Sequence, residues 1–310
     1  MKALHRLRCG CIRDPKAKSQ SAMEYLMTYG WSILIVAVVL GALAYLGVFN
    51  PLYFAPKANP GSCQVFRPNG AGTSYDINLL GVCNWEIPEY VALFNGQNSY
   101  ILAPHSASDD ISSAGKFTAL AWIREVSFQQ NGGIIDDGGE YCCDYTSGFG
   151  LVVGSTGTRL NLYVNSLVIG TNPPTTNMWM MVVGEYDAGT GSSAIYEFYN
   201  GKAYATSSSL PAGLSLQQQR GYDIGGMFGN GDASFNGVIA NVQLYNTTLD
   251  SASINALYLE GIGGTPIDLQ NLVGWWPLNG NANDYSGNGN NGAAINVNYT
   301  NSWIGSYNPQ

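Results

Sequence analysis

The sequence predicts a long N-terminal apolar α-helix followed by an all-β sandwich. No charged residue occurs between Tyr25 and Pro56. Within that run, Trp31–Phe49 would span roughly 28 Å as a helix, about the thickness of a bilayer's hydrocarbon core. From Glu89 onward, short stretches with alternating apolar residues are separated by turn signals, and no stretch predicts a helix longer than three turns. This pattern is typical of a β-sandwich.

The first 19 residues are basic and precede the apolar run. They carry six basic side chains and one acid, Asp14, which gives a net charge of +5 and favours a cytoplasmic position for this leader. The basic residues are Lys2, Arg6, Arg8, Arg13, Lys16 and Lys18. One carboxylate, Glu24, lies at the start of the apolar run, where it is costly in lipid unless it is paired.

This arrangement resembles archaeal type IV pilin-like precursors with a class III signal peptide. Those chains have a basic leader, a Gln at the cut site, a Glu five residues into the mature chain and then an apolar helix. The resemblance implies that a prepilin-peptidase-like enzyme cuts between Ser19 and Gln20, separating leader 1–19 from a membrane helix over 20–50. It also implies that the Gln20 amine pairs with Glu24 of a neighbouring pilin-like subunit, because a buried ion pair sets register.

Two other interpretations of this segment stay open. An ordinary signal peptide would use Ile33–Leu40 as its apolar core and be cut after Ala44. A simple membrane anchor would keep the helix without forming a filament. Neither explains Glu24 or the junction at Gln20, so the sequence favours the pilin-like interpretation.

The charge balance agrees with a protein on the outer cell surface. The whole chain has a net charge of −8, and without its leader it would carry 7 basic and 20 acidic residues, or −13. Such a surface repels nucleic acid, so no nucleic-acid partner is expected. We therefore expect localisation at the cell membrane or extracellular surface.

Six cysteines are present, and four of them would remain after loss of the leader, which contains Cys9 and Cys11. The four are Cys63, Cys83, Cys142 and Cys143. An even number on the oxidising side of a membrane predicts disulfides. The sequence slightly favours bridges between the 63–83 segment and the adjacent pair at 142–143. Pairing within each group and four buried free thiols are the alternatives.

The chain after the helix predicts a neck and a Cys-containing extension over 51–88, then a sandwich over 89–310. Predicted strands include 117–124, 160–165, 179–186 and 238–245. The segments 194–199 and 202–206 predict a hairpin, because Asn200-Gly201 is a strong turn signal between them. Asp250 is expected to cap a short helix that ends at Gly261.

The order of motifs in this half resembles laminin-G-type members of the concanavalin A-like lectin/glucanase superfamily. The motifs are Phe94-Asn-Gly96, Phe117-Thr-Ala-Leu-Ala-Trp122, Trp179-Met-Met-Val-Val-Gly-Glu-Tyr186, Tyr199-Asn-Gly201, Asp223-Ile-Gly-Gly226 and Phe235-Asn-Gly-Val-Ile-Ala-Asn-Val-Gln-Leu-Tyr245. The resemblance covers about residues 89–262 and implies a jelly-roll sandwich. The segment 272–292 resembles the opening strand and loop of such domains, yet it follows them. It begins a truncated second copy or completes the sandwich as a circularly permuted strand within 272–303, which we favour.

Signals for catalysis are few, and no enzyme activity is expected. Superfamily enzymes carry Glu-x-Asp-x-Glu on one strand, whereas here Glu185 and Asp187 lack a third acid. Retaining glycosidases need two carboxyls roughly 5–5.5 Å apart, which nothing here specifies. The acids Asp136, Asp137, Glu140 and Asp144 form a group that is more often a solvated loop than a cation site.

A structural Ca²⁺ is the one cofactor that the sequence suggests. Asp284 lies in an Asn/Gly-rich loop, 279–292, and with carbonyl oxygens of Asn281 or Asn288 it would form a weak site. An ordinary cluster of Asn-Gly turns is the alternative.

The expected function is adhesion or recognition of a glycan or surface protein by a membrane-anchored, filament-forming subunit. Five tyrosines are candidate ligand contacts by composition alone, although most are expected to be framework residues: Tyr100, Tyr141, Tyr145, Tyr186 and Tyr222. Asn246 and Asn298 begin acceptor motifs for N-glycans. A cell-anchored glycan hydrolase and an anchored module that never polymerises are the alternatives.

Overall fold

The computed structural model describes residues 16–45, 63–66, 74–77, 87–104, 111–127, 131–137, 148–155, 158–172, 177–216, 221–227 and 233–303. The helices are α1 Lys16–Tyr45, α2 Ile111–Ala114 and α3 Ser251–Glu260. The strands are β1 Cys63–Phe66, β2 Ser74–Ile77, β3 Val91–Asn95, β4 Tyr100–Pro104, β5 Lys116–Glu125, β6 Gly132–Asp136, β7 Phe149–Ser155, β8 Thr158–Val164, β9 Leu167–Thr171, β10 Met180–Asp187, β11 Ser192–Tyr199, β12 Lys202–Ser209, β13 Gly221–Ile224, β14 Asn236–Tyr245, β15 Leu272–Trp276, β16 Ala293–Ile295 and β17 Asn298–Thr300.

The chain divides into two compact units, Met1–Pro56 and Lys57–Gln310. In the first unit, α1 begins at Lys16, inside the predicted leader, and ends at Tyr45, five residues before the predicted end at 50. The helix begins directly after Pro15, and the early start is understandable because Lys16, Ala17 and Lys18 are good helix formers. Across the described part of the chain, no helix has the length and apolarity needed to span a membrane.

In the second unit, two antiparallel sheets form a sandwich, which confirms the predicted all-β architecture. The eight-stranded sheet has the order β12-β11-β10-β5-β14-β3-β17, and β15 also pairs with β14. The seven-stranded sheet has the order β16-β4-β13-β6-β7-β8-β9. Side chains on alternate positions of both sheets fill the space between them, including Phe117 and Phe149, whose stacked rings are 4.1 Å apart. In the predicted extension, β1 and β2 pair as a separate two-stranded sheet.

The eight-stranded sheet buries its outer face as well. Its outward side chains form a second apolar cluster with α3. Tyr258 of α3 stacks on Trp122 and Phe198, with ring centroids 5.7 and 4.8 Å apart. The helix lies as predicted: Asp250 is its N-cap, accepting a 2.7 Å hydrogen bond from the Ser253 backbone N–H, and Gly261 is its C-cap.

The C-terminal segment contributes strands to both sheets. The strand β15 pairs with β14 and β17 pairs with β3 in the eight-stranded sheet, whereas β16 pairs with β4 in the seven-stranded sheet. Trp276 is fully buried between the sheets, where its indole N–H donates to the Asn290 carbonyl at 2.9 Å. This segment therefore belongs to the sandwich and its core.

Candidate functional site

Two adjacent tryptophans on β15 point to opposite faces of the eight-stranded sheet. Trp276 pairs with Val242 and joins the core between the sheets, while Trp275 pairs with Gln243 and packs against the outer cluster. This alternation is the ordinary pleat of a strand. Trp275 is only partly buried, so part of this residue remains accessible to solvent on the outer face.

A bulge in the central strand β14 holds Trp275 in place. The register between β14 and β5 shifts between Ala240 and Gln243, and Asn241 within the bulge has a positive φ of 47°. Asn tolerates this left-handed conformation better than most residues. The Trp275 indole N–H donates to Asn241 Oδ1 at 2.8 Å, and Asn241 Nδ2 donates to the Gly264 carbonyl at 2.7 Å. Asn241 thus joins β14, β15 and the segment after α3.

These three segments enclose a surface depression, which we call the Trp275 recess. It is lined by Pro88, Asn241, Ile262, Gly263, Trp275, Pro277 and Asn279. The empty space measures ≈ 230 Å³ including its open mouth. Its walls are mainly apolar with an aromatic side and a few amides, which is the usual composition of a small-molecule site.

One polar group in the recess has hydrogen-bonding capacity left over. Asn279 Oδ1 accepts a 2.8 Å hydrogen bond from the Tyr90 backbone N–H, which fixes the orientation of the amide. Its NH₂ group has no hydrogen-bond acceptor among the described residues. Asn241, by contrast, already uses its side-chain oxygen for Trp275 and its nitrogen for Gly264. Among the side chains that line the recess, Asn279 therefore keeps an uncommitted amide N–H group.

A second aromatic ring extends the surface beside the recess. Tyr285 is 46% exposed and lies edge-on to Trp275, with ring centroids 6.1 Å apart. Its backbone N–H donates to the Trp275 carbonyl at 2.8 Å. Trp275 and Tyr285 together offer ring surface to a ligand larger than the recess itself.

The Asn/Gly-rich loop owes its shape to Asp284. One carboxylate oxygen accepts from the Trp275 and Ser286 backbone N–H groups at 3.0 and 2.8 Å. The other accepts from the Ser286 hydroxyl and the Asn290 N–H at 2.8 and 2.9 Å. Among the residues that the structure describes, no three His, Cys, Asp or Glu side chains converge on one metal position. The Ca²⁺ site stays a prediction.

The two amides predicted to join that site have local roles in the loop. Asn281 accepts from the Asn283 backbone N–H at 2.9 Å and donates to the Tyr285 hydroxyl at 3.3 Å. Asn288 donates to the Leu272 and Val273 carbonyls at 2.8 and 3.0 Å.

The acids at the end of β6 are buried, so the solvated-loop interpretation is wrong for Asp136 and Asp137. Asp136 directly faces Asp223 across the β6–β13 ladder, on the outer face of the seven-stranded sheet. Burial raises the pKa of Asp137 well above its usual range, and the neighbouring charge of Asp136 raises it further. Glu140 and Asp144 lie outside the described residues.

Glu185 is a carboxyl with a raised pKa on β10, and Asp187, two residues further along the strand, lies on the same face. Burial raises the pKa of Glu185 to about 7, and the Tyr196 hydroxyl donates to this carboxyl at 3.0 Å. Burial also raises the pKa of Glu197 to about 7. Glu185 is paired with Ala194, and Glu197 lies three residues further along β11, an odd number, so the two acids point to opposite faces of the sheet. Asp187 instead forms a 3.1 Å salt bridge with Lys116.

The remaining predicted residues fall in several places. Tyr186 and Tyr222 are fully buried in the core and cannot contact a ligand, whereas Tyr100 is partly buried on β4. Asn246 is partly buried after β14, and Asn298 is exposed on β17. Cys63 begins β1. The other cysteines at 83, 142 and 143 and the tyrosines at 141 and 145 lie outside the described residues, as do the side chains of Ser19, Gln20 and Glu24.

Sequence reasoning missed the Trp275 recess. Trp275 and Trp276 lie in the segment 272–292, which the sequence predicted only as a strand and loop. The alternation of the pair and the proline after it could have indicated that one ring faces outward. The walls come from residues nearly 190 positions apart, such as Pro88 and Asn279, and no local pattern brings these together.

Comparison with known proteins agrees with the sandwich. Residues 95–255, just over half of the chain, match the Laminin_G_3 family, described as the concanavalin A-like lectin/glucanases superfamily. No curated protein matches the chain.

Several solved structures are similar to this chain. A Bacteroides ovatus protein, provisionally described as carbohydrate binding, is 20% identical with a TM-score of 0.51; the alignment covers 73% of this chain and 66% of that one, just under two thirds. A heptameric SAP-like pentraxin from Limulus polyphemus is 16% identical, with a TM-score of 0.45 and coverage of 68% and 94%. The CBM40 of a Ruminococcus gnavus IT-sialidase is 14% identical, with a TM-score of 0.43 and coverage of 55% and 97%.

Proposed function

The chain belongs to the Laminin_G_3 family of concanavalin A-like lectin/glucanases, and from this premise we propose that its sandwich is a glycan-binding module. Two facts support the proposal. The superfamily is named for lectins and glucanases, and the Bacteroides ovatus protein of similar fold is described as carbohydrate binding. A binding role is favoured over hydrolysis because the third acid of the Glu-x-Asp-x-Glu pattern is missing after Asp187, whose carboxylate forms a salt bridge with Lys116.

The observation that carries the proposal is the Trp275 recess. A sugar ring has an apolar face of C–H groups and a rim of hydroxyls. An accessible indole packs against the first, and an amide with a spare N–H hydrogen-bonds to the second. Trp275 and Asn279 provide these two groups side by side in one depression.

A glycan array probed with the full-length chain in detergent tests this function. We expect the chain to bind a subset of glycans, and Trp275→Ala to weaken that binding by at least about tenfold, because aromatic anchors dominate such contacts. Tyr204→Ala is the matched control, since Tyr204 is 42% exposed on β12 and does not line the recess. Equal binding by the Trp275 variant and the parent chain would contradict the assignment of the site.

We further propose that the module is displayed on the outer cell surface by a pilin-like helix, with the membrane, a prepilin-peptidase-like enzyme and other pilin-like subunits as partners. The support is in the sequence: a basic leader, Gln20, Glu24 and the uncharged run Tyr25–Pro56. Mass spectrometry of the mature N-terminus tests the route. Gln20 supports the pilin-like route, Tyr45 indicates a secreted protein, and Met1 indicates a plain anchor.

Assembly into filaments is tested separately with Glu24→Ala. We expect this variant to insert into the membrane normally but to form no filaments, because it lacks the carboxylate that would neutralise the Gln20 amine of a neighbouring subunit. Electron microscopy of cell surfaces and membrane fractionation measure the two properties. Filaments of normal abundance would rule out the role given to Glu24.

A further inference from the structure

We propose that the Trp275 recess selects N-acetylated hexosamines, holding the acetamido methyl group in its apolar interior and bonding the acetamido carbonyl to Asn279. This inference rests on the proposed glycan binding and narrows it to one class of sugar. It follows from the size of the recess, the chemistry of its walls and the charge around it.

The interior of the recess has room for one small group. Its enclosed part is no larger than a single water molecule requires. A methyl group is of similar size, whereas a hexose ring is several times larger. The ring must therefore lie at the mouth, against Trp275 and Tyr285, while one substituent enters.

The walls around this space favour a methyl group over a hydroxyl. Ile262, Pro88 and Pro277 have only apolar side-chain atoms, and Asn241 has its amide committed to Trp275 and Gly264. A sugar hydroxyl placed there would lose its hydrogen bonds to water without replacement, which is unfavourable. A methyl group placed there would instead bury its apolar surface against the same side chains.

Asn279 supplies the second half of the recognition. Its oxygen is occupied by the Tyr90 N–H, so the amide presents its NH₂ group as a donor. An acetamido group carries a carbonyl acceptor directly beside its methyl. A 6-deoxyhexose also has a methyl group but no adjoining carbonyl, so it would leave Asn279 without an acceptor.

The surrounding charge restricts the class to neutral sugars. Glu89 lies next to Pro88 in the chain, and Asp284 accepts from the Trp275 backbone N–H at 3.0 Å. The net charge outside the leader is −13. A carboxylated sugar would be repelled by these groups, whereas a neutral N-acetylhexosamine would not.

Saturation-transfer difference NMR on the full-length chain in detergent tests the inference with three probes: the methyl glycosides of N-acetylglucosamine, glucose and fucose. We expect the acetyl methyl protons to receive the strongest saturation in the first probe. We also expect N-acetylglucosamine to bind about tenfold more tightly than glucose, the usual discrimination from one extra contact group.

Asn279→Asp isolates the proposed contact. Aspartate keeps the acceptor for the Tyr90 N–H but has no NH₂ donor, so the preference for N-acetylglucosamine over glucose should fall about tenfold. Asn283→Asp is the control, because it adds the same charge on the same loop from an exposed side chain outside the recess. The saturation pattern of the parent chain provides a readout that does not depend on folding of either variant.

The outcomes separate this inference from the proposed function. Glycan binding that depends on Trp275 but shows no preference for the N-acetyl sugar would overturn the inference alone. Stronger binding of the fucose glycoside would overturn it too, with the recess assigned to a deoxy sugar's methyl group. No binding of any probe, together with an array that Trp275→Ala leaves unchanged, would overturn both.

Discussion

Asn241 shows how one residue in an unusual conformation positions a binding surface. It is almost completely buried, has a positive φ, and hydrogen-bonds both to the Trp275 indole and to the Gly264 carbonyl. Without it, the indole N–H and the carbonyl would both lose a buried partner. Its backbone strain is tolerated because the side chain completes a local hydrogen-bond network.

Two substitutions at this position separate hydrogen bonding from backbone conformation. Asn241→Ala should lower the free energy of unfolding by about 2–3 kcal/mol, because it leaves two buried polar groups unpaired and keeps a side chain at positive φ. Asn241→Gly should cost less, because glycine adopts this conformation freely. Urea unfolding measures both. A glycine variant less stable than the alanine variant would contradict the conformational explanation.

Glu197 makes stability depend on pH. Burial raises its pKa from 4.5 to about 7, so the folded state binds a proton that the unfolded state has already released between those values. Its contribution to stability is therefore complete below about pH 4.5 and is lost as the pH rises through about 7. Glu185 and Glu260, with similarly raised pKa values, act in the same direction.

Replacing Glu197 with Gln should remove its part of this dependence. At pH 8 the variant should unfold at a higher temperature than the parent chain, because no buried carboxyl must ionise, and at pH 5 the two should match. Thermal unfolding followed by circular dichroism measures the difference. Glu89→Gln, at an exposed position, is the control and should change neither value.

At the scale of elements, local sequence determines what neighbours in the chain can form. The hairpin of β11 and β12 forms as predicted, with Asn200 and Gly201 both at positive φ in the turn. The helix α3 also begins and ends at its predicted caps. Each of these elements depends on contacts between residues fewer than about twenty positions apart, and the sequence can predict such local contacts.

Elements that depend on distant partners could not be predicted in the same way. The pairing of β3 with β17 joins residues about two hundred positions apart. Asp136 and Asp223 lie opposite each other only because β6 and β13 are neighbours in the sheet. The Trp275 recess depends on the bulge in β14, and no residue pattern in the sequence predicted that bulge. The sequence predicted the class of fold and a binding role, but not the location of the site.

The C-terminal strands should be indispensable for folding. Truncation after residue 271 removes β15, β16 and β17, leaving the edges of β14, β4 and β3 unpaired and the core without Trp276. We expect a product that aggregates and shows no cooperative unfolding transition. Truncation after Trp303 is the control, since it keeps every described strand. A folded product ending at residue 271 would disprove the role of this segment.

At the scale of the whole molecule, a strongly negative chain is proposed to recognise a neutral ligand. Electrostatic attraction then contributes little to affinity, and the contacts that matter are ring packing and one amide hydrogen bond. The same charge opposes binding to nucleic acid.

The salt dependence of glycan affinity tests whether ring packing, and not charge attraction, provides the binding energy. Affinity for a neutral glycan should change by less than about twofold between about 0.05 and 0.5 M NaCl, because screening acts on charges and not on ring packing. Isothermal titration calorimetry at the two salt concentrations measures this affinity. The Trp275→Ala variant is the control for heat that does not come from binding at the recess. A steep loss of affinity with salt would point to an ionic contact in place of the recess.

The late position of β15, β16 and β17 also constrains when the protein acquires its shape. Both sheets stay incomplete until Thr300 has left the ribosome. The strands β4 and β3 pair with β16 and β17, which are synthesised about two hundred residues later. A nascent chain of this kind remains unfolded through most of its synthesis. The two sheets can therefore close into a sandwich only after nearly the whole chain has been synthesised.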